Sequence, residues 1–462
     1  MIETMKNKFI TILFILLTLM VSGLLFNDNV WFDETYTLAL VRHSYGEMTD
    51  ILRSDMHPPL YFAGLKLFCS IWGYEIIITK LYSLLGFVML LSLGWLIVKK
   101  DYGKKTAIFY LLIIGIIPMS FYFAVQQRCY SWSMFFVTWC FLEGMRLLRS
   151  PKWQTAILFA ITALCAAYNH IYALVAAAGV VISINICILF KYQKEWKKIL
   201  TADALMILGY AGWLGTLLTQ TRQASQNFWL SSLETNSLII LALSIPLFAL
   251  LLCQQKTLSE SRKCLIKSGI FTIMFVHMTG FGISLLIRPL YIARYASPLL
   301  GIFALVTAVE LAHHIKGRIL ITCLLLVCII EYGITASFEY NPSLRNFRNE
   351  FDTVCSPEDI FIYCDSSFGI MSYYYPDHTH ICTYYEPWFD AFENVEYVTA
   401  DHLDAILSTD QQIWLVINEK KELPKWIIQK FHCHQTLSFQ CDFNRFTVWE
   451  LQVISPLQKT SP

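Results

Sequence analysis

The segment that does most to decide the fold runs from Asn27 to Phe62 and reads NDNVWFDETYTLALVRHSYGEMTDILRSDMHPPLYF. It follows the first apolar run of the chain and carries an adjacent acid pair, Asp33 and Glu34, among aromatic residues. Near its end, His57 is followed by two prolines. Charged groups beside a membrane are costly and usually have a function. The segment is therefore a candidate functional loop.

The composition of the whole chain is that of a polytopic membrane protein. Of the 462 residues, 56% are hydrophobic and only 15% are charged, whereas about a quarter of the residues of a soluble domain are charged. The mean hydropathy is +0.50. The net charge is +1 and no long basic run is present, so no nucleic-acid partner is predicted.

Apolar runs near the length that a membrane span requires divide the chain into about eleven predicted spans. The first run could also be a signal peptide, but no small-residue cleavage site is convincing, which favours a retained span. Two of the runs join around His170, where a tight turn is predicted. The predicted spans are 9–26, 76–98, 106–124, 130–148, 154–172, 173–190, 199–218, 236–253, 265–287, 295–312 and 319–337.

The lysines and arginines between these spans predict the orientation of the chain. Roughly nineteen fall on one side and about eight on the other, which is a clear positive-inside bias. We therefore expect a multi-pass protein of the plasma membrane with a cytoplasmic N-terminus. The acid pair and the span ends near Arg128, His170 and Arg294 would then face outward, and an odd number of spans puts the C-terminus outside too.

The chain changes character at about residue 338, which separates a predicted membrane domain (1–337) from a predicted C-terminal domain (338–462). Segments 359–365, 411–419 and 445–453 are predicted strands, and segments 343–353, 366–375 and 399–408 are predicted helices. This alternation is typical of a small α/β domain, here extracytoplasmic. The domain contains five cysteines, so one disulfide is possible, but the spacing does not predict a pairing.

Two clusters of histidine and cysteine in the C-terminal domain were considered as metal sites. The first consists of His378, His380 and Cys382, and the second of His432, Cys433 and His434. Each cluster lacks a second set of ligands at metal-like spacing. We therefore expect these side chains to be surface residues, and no metal site is predicted.

Unusual polar residues collect at the predicted outward ends of spans that are far apart in sequence. Arginines can hold a phosphate through paired hydrogen bonds, and a carboxylate can take a proton from a hydroxyl group or hold a cation. A site with both suits a lipid phosphate and a polar acceptor. The residues concerned, besides the acid pair and His57, are Arg128, Tyr130, His170, Arg288, Tyr291 and Arg294.

Each of these residues also has a structural interpretation that the sequence leaves open. The acid pair could form ion pairs with Arg42 or Arg53, and the prolines after His57 could simply begin a helix. Arg128 could extend its charge to the membrane surface, and His170 could be a turn histidine. The common position of these groups on one predicted side favours the functional interpretation.

Four stretches together resemble the GT-C glycosyltransferases, in the branch of the protein O-mannosyltransferases, the lipid A aminoarabinose transferases and the RgtA/B/C/D-like bacterial enzymes. The acid pair followed by HPPLYF is similar to the first outward loop of that family. The other three stretches are similar to its Q-E-x-R-x-Y pattern, its T-H-Y turn and its P-x-x-x-x-R-Y stretch. They are Val125–Tyr130, Tyr168–Tyr172 and Pro289–Tyr295. The resemblance departs from the family at Gln127, which replaces a Glu, and at Asn169, which replaces a Thr.

The resemblance implies a polytopic helical membrane protein of the GT-C fold that transfers a sugar from a polyprenyl-phosphate donor to a lipid, glycan or protein acceptor. It implies that Asp33 is the general base and that Glu34 binds sugar or acceptor, or orients the base. Arg128 and Arg294 would hold the carrier phosphate, and a single displacement would invert the anomeric centre. The other expected donor-site residues are His57, Tyr130, His170, Arg288 and Tyr291.

No cofactor is expected, because arginines can bind a carrier with a single phosphate. A divalent metal at the acid pair is possible but is not predicted. The alternative to an enzyme is a transporter or flippase of a lipid-linked intermediate. Transporters often contain internal inverted repeats, and no such symmetry is found in this sequence.

Overall fold

The computed structural model describes residues 2–191, 196–227, 232, 234–253, 258–314, 318–403 and 411–454. The chain divides into two compact units. We call Met1–Phe26 with Leu52–Thr335 the membrane unit, and Asn27–Ile51 with Ala336–Pro462 the second unit. The acid-pair segment thus groups with the C-terminal residues, whereas the sequence predicts it within the membrane domain (1–337).

Helices account for most of the described chain. A π-helical turn at Gly94–Val98 and 3-10 helices at Gly23–Phe26, Ala293–Leu299 and Pro387–Ala391 accompany the α-helices. The α-helices are α1 Ile2–Ser22, α2 Phe32–Leu40, α3 Tyr45–Ser54, α4 Leu60–Trp72, α5 Ile76–Leu93, α6 Lys99–Tyr102, α7 Lys104–Ile116, α8 Ser120–Val125, α9 Tyr130–Arg149, α10 Trp153–Asn169, α11 Ile171–Lys191, α12 Trp196–Asn227, α13 Thr235–Cys253, α14 Glu260–Leu286, α15 Leu300–His314, α16 Arg318–Glu339, α17 Ser343–Phe351, α18 Phe368–Tyr374 and α19 Lys425–Lys430.

Among the described residues, 7 helical stretches are long and apolar enough to cross a membrane. The chain is a multi-pass membrane protein, as its composition predicts. Four predicted spans remain. The span 106–124 covers both α7 and α8, and the spans 130–148, 154–172 and 236–253 correspond to α9, α10 and α13. The span predicted at 106–124 is interrupted because Pro118 follows α7 and Met119 adopts a φ of 67°, so the helix cannot continue. The predicted turn at His170 is confirmed, since this residue separates α10 from α11.

The centre of the membrane unit is α9, which packs against α5, α10, α11 and α15. Its buried residues lie on most sides of the helix, from Tyr130 to Leu148. A helix that is buried on most sides belongs in the interior of a bundle rather than at its lipid-facing surface. This position brings the N-terminal end of α9, which follows Arg128 directly, into the interior of the unit.

The second unit contains a six-stranded mixed sheet in the order β3-β2-β1-β4-β6-β5. The strands β1 to β4 pair in parallel, and β6 pairs antiparallel with β4 and β5. Ile362 lies opposite both Ile381 and Leu415 in the apolar core of the sheet. The strands are β1 Ile360–Tyr363, β2 Thr379–Cys382, β3 Val395–Tyr397, β4 Ile413–Asn418, β5 Phe431–Cys441 and β6 Asn444–Val453.

The predicted α/β class of the C-terminal domain is confirmed. The three predicted strands are β1, β4 and β6, and two predicted helices are α17 and α18. Of the helix predicted at 399–408, residues 404–408 lie outside the described residues, and 399–403 do not form an α-helix. The strands β2, β3 and β5 were not predicted because they are short or rich in polar residues. Cys355, Cys364, Cys382 and Cys433 of this domain are free thiols.

Candidate functional site

Arg128 occupies a fixed turn between α8 and α9. The neighbouring Gln127 is fully buried, and its Nε2 donates hydrogen bonds to Oγ1 of Thr79 at 2.5 Å and to the carbonyl oxygen of Ile76 at 3.4 Å. These bonds tie the turn to the N-terminal end of α5. Arg128 itself is only 5% exposed, so its guanidinium group is held inside the membrane unit and does not extend to the surface.

A chain of polar contacts joins Asp55, His57 and Arg128. The Nδ1 atom of His57 lies 2.7 Å from Oδ2 of Asp55, and its Nε2 atom lies 2.6 Å from Nη2 of Arg128. A guanidinium nitrogen can only donate, so Nε2 of the neutral ring accepts. The proton of the ring is therefore on Nδ1, which donates to the carboxylate of Asp55.

The segment that carries Asp55 and His57 is anchored at both ends. Nε2 of Gln220, on α12, donates to the carbonyl oxygens of Leu52 at 2.8 Å and Asp55 at 2.5 Å. Two residues after His57, Pro59 is the N-cap residue of α4. The two prolines do begin a helix, as one sequence-based alternative proposed, and they also set the position of the histidine that contacts Arg128.

His170 lies close to two guanidinium groups. The positive charges of Arg128 and Arg294 are near enough to act on its ring, and the neutral His57 ring accepts a hydrogen bond from the same Arg128. The ring is buried, and its Nδ1 atom accepts a hydrogen bond from the backbone N–H of Tyr172 at 3.2 Å. His170 adopts an extended conformation between α10 and α11, so a break between two helices creates its position.

Aromatic rings surround His170. Its ring centroid lies 6.1 Å from that of Tyr130 and 5.6 Å from that of Tyr295. Tyr172 stacks on Tyr295 with 4.9 Å between centroids. The guanidinium carbon of Arg294 lies 5.9 Å from the centroid of the Tyr295 ring. The guanidinium group of Arg294 therefore lies beside an aromatic ring, where electrostatic interactions are stronger than in water.

Glu234 fixes the backbone beside Arg294. Its Oε2 atom accepts a hydrogen bond from the backbone N–H of Ala293 at 2.5 Å and another from Oγ of Ser237 at 2.9 Å. The carboxylate lies at the N-terminal end of the 3-10 helix Ala293–Leu299, where a negative charge is favourable. Arg294 is thus the second residue of a capped turn whose geometry does not depend on a ligand.

Tyr291 is buried behind the aromatic rings of the cluster. It is 1% exposed, and its hydroxyl lies 2.9 Å from Nδ1 of His277. Its ring contacts that of Tyr172 at 5.2 Å between centroids. It packs so closely on α14 that a Cβ at Gly280 would lie 2.5 Å from Cδ2 of Tyr291. We assign Tyr291 to the support of the aromatic rings.

Arg288 has a different environment from Arg128 and Arg294. Its Nη1 donates a hydrogen bond to the carbonyl oxygen of Gln226 near the end of α12. The structure therefore brings together His57, Arg128, Tyr130, His170 and Arg294 from the predicted donor-site set, whereas Arg288 contacts another helix end. Its predicted role in donor binding stays a prediction.

The acid pair lies in the second unit, in the first turn of α2. Oε2 of Glu34 accepts a hydrogen bond from the backbone N–H of Trp31 at 3.3 Å, and Glu34 is 4% exposed. Asp33 is half-buried. The N-terminus of a helix favours negative charge, so both carboxylates are in a favourable place. Glu34 helps to begin the helix, and Asp33 is the more accessible of the two.

Sequence reasoning missed Asp55 and Glu234 as residues that organise the candidate site. The signal for Asp55 was its position two residues before His57. Glu234 had no comparable signal, because its contact with Ala293 joins parts of the chain 59 residues apart. Within the ranges that the structure describes, no group of three or more His, Cys, Asp or Glu side chains could hold a metal ion. The expectation that His380 and Cys382 are surface residues is wrong, because β2 buries both side chains inside the sheet domain.

Asn169, one of the two departures from the family pattern, has a structural role here. Its Nδ2 donates hydrogen bonds to the carbonyl oxygen of Cys129 at 2.9 Å and to Oγ of Ser133 at 2.7 Å. A threonine could not donate twice from one atom. The amide therefore ties the end of α10, beside His170, to the start of α9, beside Arg128.

The helical bundle with its α/β addition has the GT-C fold, as the resemblance implied. In particular, it is similar to the crystal structure of ArnT from Cupriavidus metallidurans in the apo state, with a TM-score of 0.66 and 11% sequence identity over 95% of this chain and 97% of that chain. It is also similar to the structure of ArnT from that organism bound to undecaprenyl phosphate, with a TM-score of 0.63 and 12% identity over 96% and 98% of the two chains. No protein-family model and no curated protein matches the sequence.

Proposed function

We propose that this protein is a membrane glycosyltransferase that takes a sugar from a polyprenyl-phosphate donor and transfers it to an acceptor on the extracytoplasmic side. The single observation that carries the proposal is that Arg128 and Arg294 both lie close to the buried His170 within the membrane unit, with Arg128 held by His57 and Arg294 beside the Tyr295 ring that contacts His170. Two guanidinium groups, brought from distant parts of the chain, suit one anionic ligand.

The chemistry of a phosphate-linked sugar explains why such a cluster would assist transfer. The donor carries one negative charge, and a second develops on the phosphate oxygen as its bond to the anomeric carbon breaks. Guanidinium groups bind phosphate oxygens in paired geometry. Positive groups that are already in place where charge develops lower the barrier without reorganisation. Arg128, held through His57 and Asp55, and Arg294, on a capped turn, meet this requirement.

The proposed donor is also supported by the neighbour with the same fold. One of the two ArnT structures contains undecaprenyl phosphate. We propose the same class of ligand, a polyprenyl phosphate, for this chain. It is a proposal because a shared fold alone does not define a substrate. Tyr130, His170 and the tyrosines stacked beside it would line the donor site, and Tyr291 would support them.

For the acceptor, the proposal assigns proton removal to Asp33. The carboxylate would take the proton of an acceptor hydroxyl, whose oxygen attacks the anomeric carbon. The bond from that carbon to the phosphate oxygen breaks, and its electron pair leaves with the carrier. One such displacement inverts the anomeric centre. Glu34 would orient the base, in keeping with its burial at the start of α2. The acceptor class stays open between lipid, glycan and protein.

The test uses the purified full-length protein in lipid nanodiscs with a panel of undecaprenyl-phosphate-linked hexoses and pentoses, each labelled in the sugar. Bacterial membrane extract supplies acceptors. The expected result is a labelled product and release of undecaprenyl phosphate. In sealed vesicles, movement of the intact labelled donor across the bilayer without cleavage would instead support the flippase alternative and contradict the enzyme.

A further inference from the structure

We propose that the C-terminal domain is a positioning device for the acid pair. The inference rests on the proposed function only for its catalytic consequence. The structural basis is that α2, which carries Asp33 and Glu34, belongs to the same compact unit as the C-terminal sheet. The role of the C-terminal domain would then be to hold the base of the reaction in one orientation, and not to act as an independent binding module.

The side chain of Phe32, directly before Asp33, inserts between aromatic rings of the C-terminal domain. Its ring centroid lies 5.0 Å from that of Trp388, 6.0 Å from that of Phe368 and 6.2 Å from that of Phe392. Aromatic pairs at such distances are each worth more than their buried area alone. Because Phe32 and Asp33 are adjacent in the first turn of α2, the ring contacts restrict the rotation of the helix that carries the acids.

The approach of α2 to α18 depends on a residue without a side chain. A Cβ atom at Gly369 would lie 2.7 Å from Cδ2 of Phe32 and 2.8 Å from Oγ1 of Thr35. Real Cβ contacts are not that short. Any larger residue at position 369 would therefore force the side chains of Phe32 and Thr35, or α2 itself, to shift.

The backbone that leads into α2 is tied to the same domain. The hydroxyl of Tyr374 accepts a hydrogen bond from the N–H of Val30 at 2.9 Å and donates one to the carbonyl oxygen of Asp28 at 2.7 Å. Nδ2 of Asn29 donates to the carbonyl oxygens of Glu339 at 2.9 Å and Asn341 at 3.0 Å. The four contacts fix the entry to the helix over three consecutive residues.

The segment after α2 has an anchor of its own. The ring of His43 is buried. Its Nε2 atom lies 3.0 Å from the carbonyl oxygen of Ala391, and its Nδ1 atom lies 3.3 Å from a carboxylate oxygen of Glu393. The chain is therefore attached to the C-terminal domain before, within and after α2. A helix of nine residues would be marginal alone, so these contacts stabilise it.

Charged residues of the acid segment also lie near a tyrosine of the C-terminal domain. Glu34 and Arg42 both lie close enough to Tyr373, beside Tyr374 in α18, for their charges to act on its phenol. Burial raises the pKa of Tyr373, so the phenol stays neutral and can serve as a hydrogen-bond donor near the carboxylates. Residues from α18 thus contribute packing to α2 and polarity to the surroundings of Glu34.

The test compares three variants of the full-length protein in nanodiscs by hydrogen–deuterium exchange of segment 30–40. Gly369→Val should displace α2 by steric contact, and Tyr374→Phe should remove two hydrogen bonds with little change of volume. Ile428→Ala, at an exposed position on α19, is the matched control. We expect exchange in segment 30–40 to rise about five- to thirtyfold in the first two variants and to stay unchanged in the control, with β1 and β4 still protected.

Two further readouts separate this inference from the proposed function. Binding of undecaprenyl phosphate should be unchanged in all variants, whereas turnover with a labelled donor should fall roughly ten- to a hundredfold in the first two, because small misplacement of a catalytic group costs that much. Unchanged exchange in Tyr374→Phe, or raised exchange with normal turnover, overturns the inference. If the wild-type protein transfers no sugar but the exchange follows expectation, the proposed function fails and the anchoring of α2 stands.

Discussion

The Nη2 atom of Arg128 lies 2.6 Å from Nε2 of His57. Because the guanidinium group can only donate at this contact, the neutral histidine must carry its proton on Nδ1, where Asp55 accepts it at 2.7 Å. The carboxylate thus sets the tautomer of the ring that holds the arginine in place. This relationship makes separate predictions for the arginine and for the carboxylate.

Replacing Arg128 with Gln should lower transfer about a hundred- to a thousandfold, the loss typical when a group that stabilises developing charge is removed. The affinity for undecaprenyl phosphate should fall as well, because the guanidinium would bind phosphate before and after transfer. Both can be measured on the purified protein. Arg222→Gln, which removes an exposed arginine of α12, is the control. Full transfer by Arg128→Gln would remove this residue from the donor site.

Replacing Asp55 with Ala should lower turnover roughly ten- to a hundredfold, because loss of one hydrogen bond to an ionised group is worth about 1.5–3 kcal/mol. The ring of His57 could then turn or change tautomer, and Arg128 would lose its acceptor. Asp55→Asn keeps an oxygen that accepts from Nδ1 and should retain more activity than Asp55→Ala. Equal loss in both variants would show that the charge of Asp55, and not the orientation of His57, is what matters.

Asp33→Asn should leave the protein folded but lower transfer by about 10²–10⁴, the usual contribution of a general base. The amide remains compatible with the N-terminal turn of α2, so the thermal unfolding temperature should change little. Turnover with a labelled donor measures the effect, and Asp50→Asn on the exposed part of α3 controls for loss of a carboxylate. Normal turnover in Asp33→Asn would exclude Asp33 as the base.

Gln127→Glu, which restores the residue of the family pattern, should destabilise this protein. The Nε2 group of Gln127 donates to the carbonyl oxygen of Ile76 and to Thr79, and the side chain is fully buried. A carboxylate cannot donate to the carbonyl, and an unsatisfied buried polar group costs about 1–3 kcal/mol. The unfolding temperature of the purified protein should therefore fall. An unchanged or higher temperature would show that the surroundings of Thr79 accept a charge.

The C-terminal domain should lose stability at mildly acidic pH because of His380. Burial lowers the pKa of His380 from 6.5 to about 4, while Nε2 donates to the carbonyl oxygen of Tyr375 at 2.7 Å and Nδ1 accepts from the hydroxyl of Tyr363 at 2.7 Å. The unfolded chain binds a proton more readily than the folded one. The contribution of His380 to the free energy of unfolding is therefore complete above pH 6.5 and is lost as the pH falls towards about 4.

At about 1.4 kcal/mol for each pKa unit, the contribution of His380 amounts to about 3 kcal/mol. This contribution can be measured by hydrogen exchange of β1 and β2 in the full-length protein. The exchange is compared between pH 7.5 and pH 5 after correction for intrinsic rates. Protection should fall with pH in the wild type, and His380→Gln should show a weaker dependence. The same dependence in both proteins would assign the acid sensitivity to other groups.

Much of the fold could be predicted because membrane spans are local properties of the sequence. About 20 apolar residues in a row form a helix in lipid wherever they occur, since every backbone group must bond within its own segment. The break at His170 was visible for the same reason. The strand β5 could not be predicted in this way. It contains exposed and polar residues and is stabilised by its pairing with β6, and local hydrophobicity does not predict such pairing.

The sequence by itself determined that this is a multi-pass membrane protein of the GT-C fold with an α/β addition, and it pointed to Arg128, His170 and Arg294 as a group. Only the tertiary structure decided that Asp55 sets the state of His57 and that α2 folds with the C-terminal domain. Contacts such as that of Tyr374 with Val30 join residues 344 positions apart. They depend on close packing of side chains in three dimensions, and no periodicity or spacing along the chain encodes that packing.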